Sequence, residues 1–430
     1  MEIKRDIYLN RLISKKENGL IKIITGMRRC GKSYLLFKLY NDYLTTIGVD
    51  DKHIIKLALD DDINIKYRNP LELGKYIRES IKDSQMYYIF LDEIQKVEEI
   101  QNPYIEGKES KINFVDTLLG LMKISNVDLY ITGSNSKMLS SDILTEFKDR
   151  GDEIRVYPLT FKEVLSVYDN QSYSAWQEYI MYGGMPLAVS KKTHEEKSKY
   201  LKDLLAKTYL TDIVERHNIK DKDNLQDLLN VVASSIGSLT NPRKLADTFK
   251  TKKGISINQA TISNYLDYFV DAFILNKAFR YEVKGKKYIN TPLKYYFTDI
   301  GLRNAQLNFR QQEESHIMEN IIYNELLVRE FDIDVGVVEV NAKEEGKSIR
   351  KQYEIDFIAS KGSLKYYIQS ALHIDDEQKR MQETNSLNRI DDSFKKIIIV
   401  KDGIIPRHDD KGILYLSIQD FLLKENAIDL

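Results

Sequence analysis

The chain has 430 residues, of which 42% are hydrophobic and 30% are charged, and its formal net charge is −1. A chain of this length is expected to form roughly three domains, each large enough to bury its own core. The near balance of charge excludes a global basic field that attracts nucleic acid, so any such binding must come from a local patch.

The sequence contains no apolar run long enough to cross a membrane. Basic side chains are interspersed among acids in the first twenty residues, so this segment lacks the uninterrupted apolar core of a signal peptide. We therefore predict a cytoplasmic protein with no membrane partner. The single cysteine, Cys30, excludes an internal disulfide framework.

Residues 26–33 fit the phosphate-binding pattern G-x-x-x-x-G-K-[ST], between a mostly apolar run at 20–24 and a helix-like segment at 34–43. A strand, a tight turn and a helix in this order point backbone N–H groups inward at the helix N-terminus, which favours negative charge. Lys32 is expected to reach the β- and γ-phosphates of a nucleotide, and Ser33 to ligate Mg²⁺. The predicted nucleotide-binding residues are Gly26, Met27, Arg28, Arg29, Cys30, Gly31, Lys32, Ser33 and Tyr34. A chance match in a lysine-rich chain is the alternative.

A second motif follows a continuous apolar run at residues 86–91, which is typical of a strand buried on both faces of a parallel sheet. The run ends in Asp92 and Glu93, as a Walker B strand does. Asp92 can hold Mg²⁺ through water, and Glu93 can orient the attacking water. A solvated acidic turn is the alternative. Another strand candidate, residues 53–59, lies between the two motifs, and an intervening strand separates them in the P-loop ATPases that carry a catalytic glutamate.

The next apolar run, residues 127–131, ends in small polar residues at 132–135. Because open α/β sheets bind ligands at the carboxyl ends of their strands, these side chains are expected at the same edge as the two motifs above. Ser134 or Asn135 is predicted to sense the γ-phosphate and to couple hydrolysis to movement of the following segment. The alternative is an ordinary polar turn after a strand.

Five segments resemble the prokaryotic AAA+ ATPases that carry a domain of unknown function C-terminal to the ATPase core: residues 25–33, 90–94, 131–136, 157–163 and 182–186. The resemblance spans nearly the whole chain and implies an α/β P-loop NTPase core with a parallel sheet. The Gly-Gly-Met-Pro turn at 183–186 looks like the lid signature of that family. On this basis, the ATPase core is assigned to residues 1–166 and a helical lid to residues 167–224.

In that family a Gly-Arg pair usually precedes the Pro-Leu-Ser/Thr-Phe segment, and the matching positions here are Asp149 and Arg150. The resemblance therefore makes Arg150 a candidate arginine finger, acting in trans if the protein forms a homo-oligomeric ring. The missing glycine weakens the match, and a solvated surface arginine is the alternative.

Residues 225–310 carry short helices followed by an aromatic, basic hairpin, a pattern that indicates a winged helix-turn-helix. Residues 242–249 and 258–272 are predicted as its two helices, and residues 279–288 as its wing. The residues predicted to contact DNA are Gln259, Ser263, Asn264, Lys286 and Lys287. Winged helices also bind proteins and lysine-rich turns are often only solvated, so both DNA and a protein partner stay open.

Residues 311–430 return to alternating helices and strands, in an order that resembles a restriction-endonuclease-like fold. Glu319, Glu354 and Asp356 lie where the acids of an active member are expected. The Glu-x-Lys positions of active members are here Gln369-Ser370-Ala371, so a metal loses a charged ligand and the nucleophile loses its activator. The sequence therefore favours an inactive nuclease module that serves as a scaffold for a partner or DNA.

Together these patterns predict an AAA+ ATPase that uses ATP and Mg²⁺ and hydrolyses ATP to ADP and phosphate. Hydrolysis is expected to reposition the C-terminal modules on DNA or on a protein partner. The alternative is a nucleotide-regulated DNA-binding switch or defence-type sensor in which slow hydrolysis resets a complex. A nucleotide-dependent nuclease is the third possibility and depends on the defective final domain.

Overall fold

The computed structural model describes residues 3–105, 110–133, 147, 150–168, 171–254, 256–311, 313–344, 347–401 and 403–430. The chain folds as two compact units, Met1–Pro158 and Leu159–Leu430, here called unit 1 and unit 2. Among the described residues, no helix combines the length and the apolar character that a membrane span requires.

Unit 1 contains a five-stranded parallel sheet and a small hairpin. The strands are β1 Ile21–Thr25, β2 Ile54–Ala58, β3 Tyr87–Asp92, β4 Ile100–Gln101, β5 Lys111–Ile112, β6 Val127–Thr132 and β7 Gly151–Arg155. The parallel sheet has the order β2-β3-β6-β1-β7, while β4 and β5 form the hairpin. The strand that separates β1 from β3 is therefore β6, and the strand near residues 53–59 lies at the edge instead.

Helices pack against this sheet, so the central strands are buried on both faces. They are α1 Asp6–Ser14, α2 Lys32–Tyr34 with its continuation through the π-helical Leu35–Tyr40 into Asn41–Thr46, α3 Pro70–Ser80 and α4 Phe114–Leu121. Short 3₁₀ helices span Asp51–His53, Asp62–Arg68 and Ile94–Lys96. Local sequence explains where α3 begins, because the Asn69 side chain accepts the N–H groups of Leu71 and Glu72 and Pro70 occupies the first turn.

Unit 2 begins with helices and ends with a mixed sheet. Its helices are α5 Phe161–Leu165, α6 Ser172–Tyr182, α7 Pro186–Ser190, α8 His194–Asp203 with its continuation Leu204–Leu210 and Thr211–Arg216, α9 Lys222–Ser234, α10 Pro242–Lys253, α11 Gln259–Asp271, α12 Ile300–Gln306, α13 Glu314–Val328, α14 Glu377–Thr384 and α15 Ile418–Leu423. Short 3₁₀ helices span Leu387–Arg389 and Ala427–Asp429. The two helices of the predicted helix-turn-helix correspond to α10 and α11.

The strands of unit 2 are β8 Leu275–Glu282, β9 Lys287–Phe297, β10 Asp332–Glu344, β11 Lys347–Lys361, β12 Leu364–Ala371, β13 Lys395–Val400, β14 Arg407–His408 and β15 Leu414–Ser417. They form one sheet with the order β14-β15-β13-β12-β11-β10-β8-β9. The β8–β9 hairpin, predicted as a wing, pairs through β8 in parallel with β10. The predicted division between 225–310 and 311–430 therefore falls inside a continuous sheet. A hairpin leaves one row of backbone N–H and C=O groups unpaired on β8, and β10 satisfies them.

The Gly-Gly turn between α6 and α7 is held by the carboxylate of Asp299, a residue far away in the sequence. Asp299 accepts the N–H of Gly184 at 2.7 Å and that of Leu302 at 3.0 Å. A Cβ at Gly183 would overlap this carboxylate, and one at Gly184 would overlap the carbonyl of Leu159. The tight turn predicted from the sequence is thus also a packing interface, which only glycine fits.

Candidate nucleotide-binding site

The loop between β1 and α2 has the backbone shape that its glycines allow. Gly26 has a φ of 132°, and a Cβ at this position would overlap the carbonyl oxygen of Val156. Gly31, immediately before α2, has a φ of 100°. Both values are in the region that side chains other than glycine rarely adopt. The two glycines therefore let the loop turn sharply from β1 into the N-terminus of α2.

Lys32 is held inside this loop. Its side chain is buried, and the ammonium donates to the carbonyl oxygens of Gly26 and Met27, each at 3.0 Å. The positive charge therefore lies at the centre of the turn, close to the N-terminus of α2. Lysine needs such partners when it is buried, because an isolated ammonium in a protein interior is strongly disfavoured.

Thr132, at the end of β6, connects the two acids that follow β3. Its hydroxyl donates to the carboxylate of Asp92 and accepts the backbone N–H of Glu93 at 3.1 Å. Asp92 and Thr132 are both buried, while Glu93 is partly exposed with a φ of 54°. Gln95 donates its side-chain amide to the Glu93 carboxylate. The acids are thus oriented by groups from both β6 and the turn after β3.

Thr132 also faces the P-loop strand, because Ile24 of β1 pairs with Thr132 of β6. The ends of β1, β6 and β3 therefore meet at one edge of the sheet, as expected for a ligand site in an open α/β fold. The sequence predicts small polar side chains at this edge from residues 132–135, but it does not predict that Thr132 bonds to Asp92 and Glu93. Its position at the end of a buried strand was the available signal.

The N-terminal segment contacts the loop between β1 and α2. No sequence pattern indicated this contact. Arg5 is buried and donates to the carbonyl oxygens of Cys30 at 2.9 Å and Tyr157 at 2.7 Å. Its guanidinium lies 4.6 Å from the ring centroid of Tyr8, whose hydroxyl accepts the N–H of Tyr157 at 3.2 Å. Arg5 thereby fixes the loop to the segment after β7.

The remaining loop residues differ in what they can offer a ligand. Ser33, Tyr34 and Arg29 are exposed, and Arg28 is partly exposed. Met27 and Cys30 have buried side chains, and the Cys30 thiol lies 3.4 Å from the Val156 carbonyl. These two residues can therefore contribute backbone groups, whereas their side chains fill the interior.

Ser134 and Asn135 lie outside the described residues. Arg150 is exposed and precedes β7, and its carbonyl accepts the N–H of Ile21 at 2.9 Å. Ile21 begins β1, so Arg150 lies at the edge opposite the loop, about 16 Å away along a five-residue strand. The fold does not bring Arg150 to the loop of its own chain.

The residues predicted to contact DNA lie on the surface of unit 2. Gln259 and Asn264 on α11 are exposed, and Ser263 is partly buried. Lys286 and Lys287 are exposed at the turn between β8 and β9. This turn is shaped by an adjacent acid, because the buried Glu282 accepts the N–H of Gly285 at 2.6 Å and that of Lys284 at 3.2 Å.

Unit 1 thus has the architecture of a P-loop NTPase: a parallel sheet in which β6 lies between β1, which leads into the loop, and β3, which ends in Asp92. The family described as "AAA domain" matches residues 18–165. A family described as "Domain of unknown function (DUF8612)" matches residues 173–313.

The chain belongs to the same family as an uncharacterized protein of Haemophilus influenzae, to which it is 33% identical over 429 residues, covering 98% of this chain and 99% of that protein. It is also 29% identical to an uncharacterized protein of Methanocaldococcus jannaschii, over all of this chain and 89% of that protein. Among solved structures, AMPPCP-bound DnaA from Aquifex aeolicus matches with a TM-score of 0.30 and 14% identity, over 60% of this chain and 84% of that one.

Proposed function

We propose that unit 1 binds ATP with Mg²⁺ and hydrolyses it to ADP and phosphate. The observation that carries this proposal is the meeting of Lys32, Asp92 and Glu93 at one edge of the sheet, with Thr132 between the strands. Electrostatic stabilisation and positioning are the main needs of phosphoryl transfer, and this edge supplies a cation, backbone N–H groups and two acids.

Each side chain has a distinct part in this reaction. On binding, the phosphate oxygens replace the carbonyls of Gly26 and Met27 as acceptors for the Lys32 ammonium. Glu93 accepts a hydrogen bond from the attacking water and orients it toward the γ-phosphate. Its partly exposed carboxylate, held by Gln95, lets water approach.

The exposed hydroxyl of Ser33 and the carboxylate of Asp92 are hard oxygen donors, which suit Mg²⁺. Ser33 would hold the ion directly and Asp92 through water. A magnesium ion held by these residues would neutralise charge on the β- and γ-phosphates.

Titration calorimetry with ATP at millimolar Mg²⁺ tests binding. We expect Lys32→Ala to lose measurable binding, while Lys38→Ala, on the same helix and paired with Asp42 on the surface, keeps wild-type affinity. Glu93→Gln should bind ATP normally and hydrolyse it poorly. Equal hydrolysis by this variant and the wild type would reject Glu93 as the group that orients water, and no heat of ATP binding to the wild type would reject the proposal altogether.

We further infer that hydrolysis repositions unit 2 on DNA or on a protein partner. The exposed side chains of Gln259 and Asn264 on α11 and the two exposed lysines of the β8–β9 turn support DNA, because on a chain of nearly zero net charge such binding must come from local surface groups. A nucleotide-regulated DNA-binding switch with slow hydrolysis is the alternative for the same surface. DNA-stimulated turnover supports repositioning by hydrolysis, whereas tight nucleotide retention with little stimulation supports the switch.

Duplex binding at several salt concentrations tests the surface directly. Removing both charges in Lys286→Gln/Lys287→Gln should make the dependence of log K on log salt shallower by up to about 1.8, or about 0.9 for each phosphate that a lysine no longer neutralises. Lys411→Gln, an exposed lysine elsewhere in unit 2, serves as the control. Binding that is independent of salt would exclude phosphate contacts and leave a protein partner for this surface.

A further inference from the structure

Unit 2 contains a buried ammonium surrounded by acids from several elements. Lys294 lies on β9 with only 4% of its side chain exposed. Its Nζ is 2.9 Å from Glu319 on α13 and 2.7 Å from Glu354 on β11. Tyr296 also donates to Glu319, at 2.6 Å. We call Lys294, Glu319, Glu354 and Asp356 the lysine-centred cluster.

Asp356 completes this cluster within the sheet. Its carboxylate accepts the N–H of Ser370 at 2.8 Å, and its own N–H donates to the side-chain oxygen of Gln369 at 3.4 Å. Burial, followed by the negative charge of Glu319, raises the pKa of Asp356 well above its ordinary value. Asp356 is thus buried close enough to Glu319 to feel its charge, in the same centre as Lys294.

The charge of Lys294 is maintained by its neighbours. Burial by itself lowers the pKa of an ammonium, but the fields of Glu319, Asp356 and Glu354 outweigh that effect and raise the pKa of Lys294. A positive charge thus lies between Glu319 and Glu354. These two glutamates are among the acids that the sequence predicts for a nuclease-like centre.

These residues do not fit a divalent metal ion while Lys294 is in place. An ion that shared Glu319 and Glu354 would lie within a few ångströms of the ammonium, in a poorly solvated interior where like charges repel strongly. Gln369 supplies a neutral amide where the Glu-x-Lys pattern has a carboxylate. The centre therefore carries one negative charge fewer than an active metal centre, and less positive charge is needed to balance it. With Lys294 in place, no group of three or more His, Cys, Asp or Glu side chains within the described ranges is arranged to hold a metal.

We propose that the ammonium of Lys294 takes the place of a divalent metal ion in this cluster, so that the centre of unit 2 is complete without metal. The lysine comes from β9, whereas the Glu-x-Lys pattern puts its lysine on the strand corresponding to β12, where Ala371 stands. The ammonium joins the β8–β9 hairpin to α13 and β11, between acids that would hold a metal in an active centre.

Binding of Mn²⁺ to the nucleotide-free, full-length protein tests this proposal independently of ATP hydrolysis. We expect Lys294→Gln to bind one Mn²⁺ per chain more than the wild type, as counted by electron spin resonance of the free ion. Adding Glu319→Gln to this variant should remove the extra ion. Lys277→Gln is the matched control, because Lys277 lies in the same hairpin and pairs with Asp267 outside the cluster.

Thermal unfolding gives a second readout. Mn²⁺ at about 100 times its Kd should raise the Tm of Lys294→Gln by about 5 °C, with no comparable rise in the wild type. A folded Lys294→Gln protein that gains no Mn²⁺ would overturn the proposal. The proposal would also be overturned if the wild type took up more Mn²⁺ than Asp356→Asn does.

If Lys294→Gln does not fold by itself, refolding this variant with and without Mn²⁺ tests the proposal instead. Recovery of the native circular dichroism spectrum only with Mn²⁺ supports the proposal. If neither condition restores it, the wild type and Asp356→Asn are compared. Equal Mn²⁺ uptake by these two proteins supports a metal-free centre, and a lower uptake by Asp356→Asn contradicts it.

Discussion

Thr132 donates its hydroxyl hydrogen to the carboxylate of Asp92 across the boundary between β6 and β3, while accepting the N–H of Glu93. One side chain therefore orients both acids of the candidate nucleotide site. Asp92 is proposed to hold Mg²⁺ and Glu93 to orient water. Thr132, at the end of β6, therefore contacts the residues responsible for both metal binding and water activation.

Removing the Thr132 hydroxyl should slow hydrolysis more than it weakens binding. Thr132→Val keeps the shape of the side chain, so we expect kcat to fall about 10- to 100-fold, as when a group that orients a ligand is removed. The Kd for ATP should change by less than about threefold, since the Lys32 ammonium and the backbone N–H groups of the loop, which are proposed to bind the phosphates, are not altered. Thr132→Ser should restore most of the rate. Wild-type turnover by Thr132→Val would show that the acids orient themselves without it.

Arg5 should act on nucleotide affinity through the loop. Arg5→Met leaves the carbonyls of Cys30 and Tyr157 without the guanidinium that satisfies them, and we expect the Kd for ATP to rise about tenfold. Arg11→Met is the control, because Arg11 lies on α1, which begins directly after Arg5, and its guanidinium also lies over the Tyr8 ring, 5.4 Å from the ring centroid. Calorimetry on both variants measures the difference, and equal affinities would remove Arg5 from the loop-positioning role.

The turn between α6 and α7 should not accept a methyl group. Gly184→Ala places a Cβ against the carbonyl of Leu159, so the backbone must move and the bond from Gly184 to Asp299 must weaken. We expect a loss of about 3 kcal/mol in unfolding free energy, at the upper end of what forced backbone shifts typically cost. Gly403→Ala, where a Cβ meets open space, should change stability by less than about 0.5 kcal/mol. Similar denaturation midpoints for both variants would argue against the interlocked turn.

Asp299 should make stability depend on pH. Its burial raises the pKa to about 6, although the N–H groups of Gly184, Leu302 and Gly301 act in the opposite direction. The folded state therefore holds the proton more tightly than the unfolded chain. This contribution is fully present below pH about 4 and is lost as pH rises through 6, by roughly 3 kcal/mol at most. Denaturation between pH 5 and 7 should show this decline in the wild type, and a parallel decline in Asp299→Asn would assign it to other groups.

Arg150 provides a test for assembly. Because it lies at the sheet edge opposite the loop, it can contact a nucleotide only on a second copy of the chain. If it is a trans-acting finger, Arg150→Ala and Glu93→Gln should each hydrolyse ATP poorly, while their mixture should regain activity at interfaces that combine an intact Glu93 with an intact Arg150. Light scattering with a non-hydrolysable ATP analogue would show the oligomer. A mixture no faster than the average of its parts would leave Arg150 as a surface residue.

The amino-acid sequence by itself determined the parts of this protein that are continuous along the chain. The loop around Lys32, the apolar strand before Asp92 and the helices α10 and α11 are each encoded within a few neighbouring residues. Glycine spacing, apolar runs and helix-like periodicity report local backbone preferences, and these preferences agree with the fold.

Only the tertiary structure decided which distant groups meet. Thr132 contacts Asp92 because β6 pairs with β3. Arg5 contacts both Cys30 and Tyr157 because the segment after β7 lies next to the loop between β1 and α2. The sharing of one sheet by the predicted wing and the C-terminal strands, and the position of Lys294 among acids, arise in the same way. Strand order and buried charge pairs depend on contacts between segments far apart in sequence, for which local preference carries no signal.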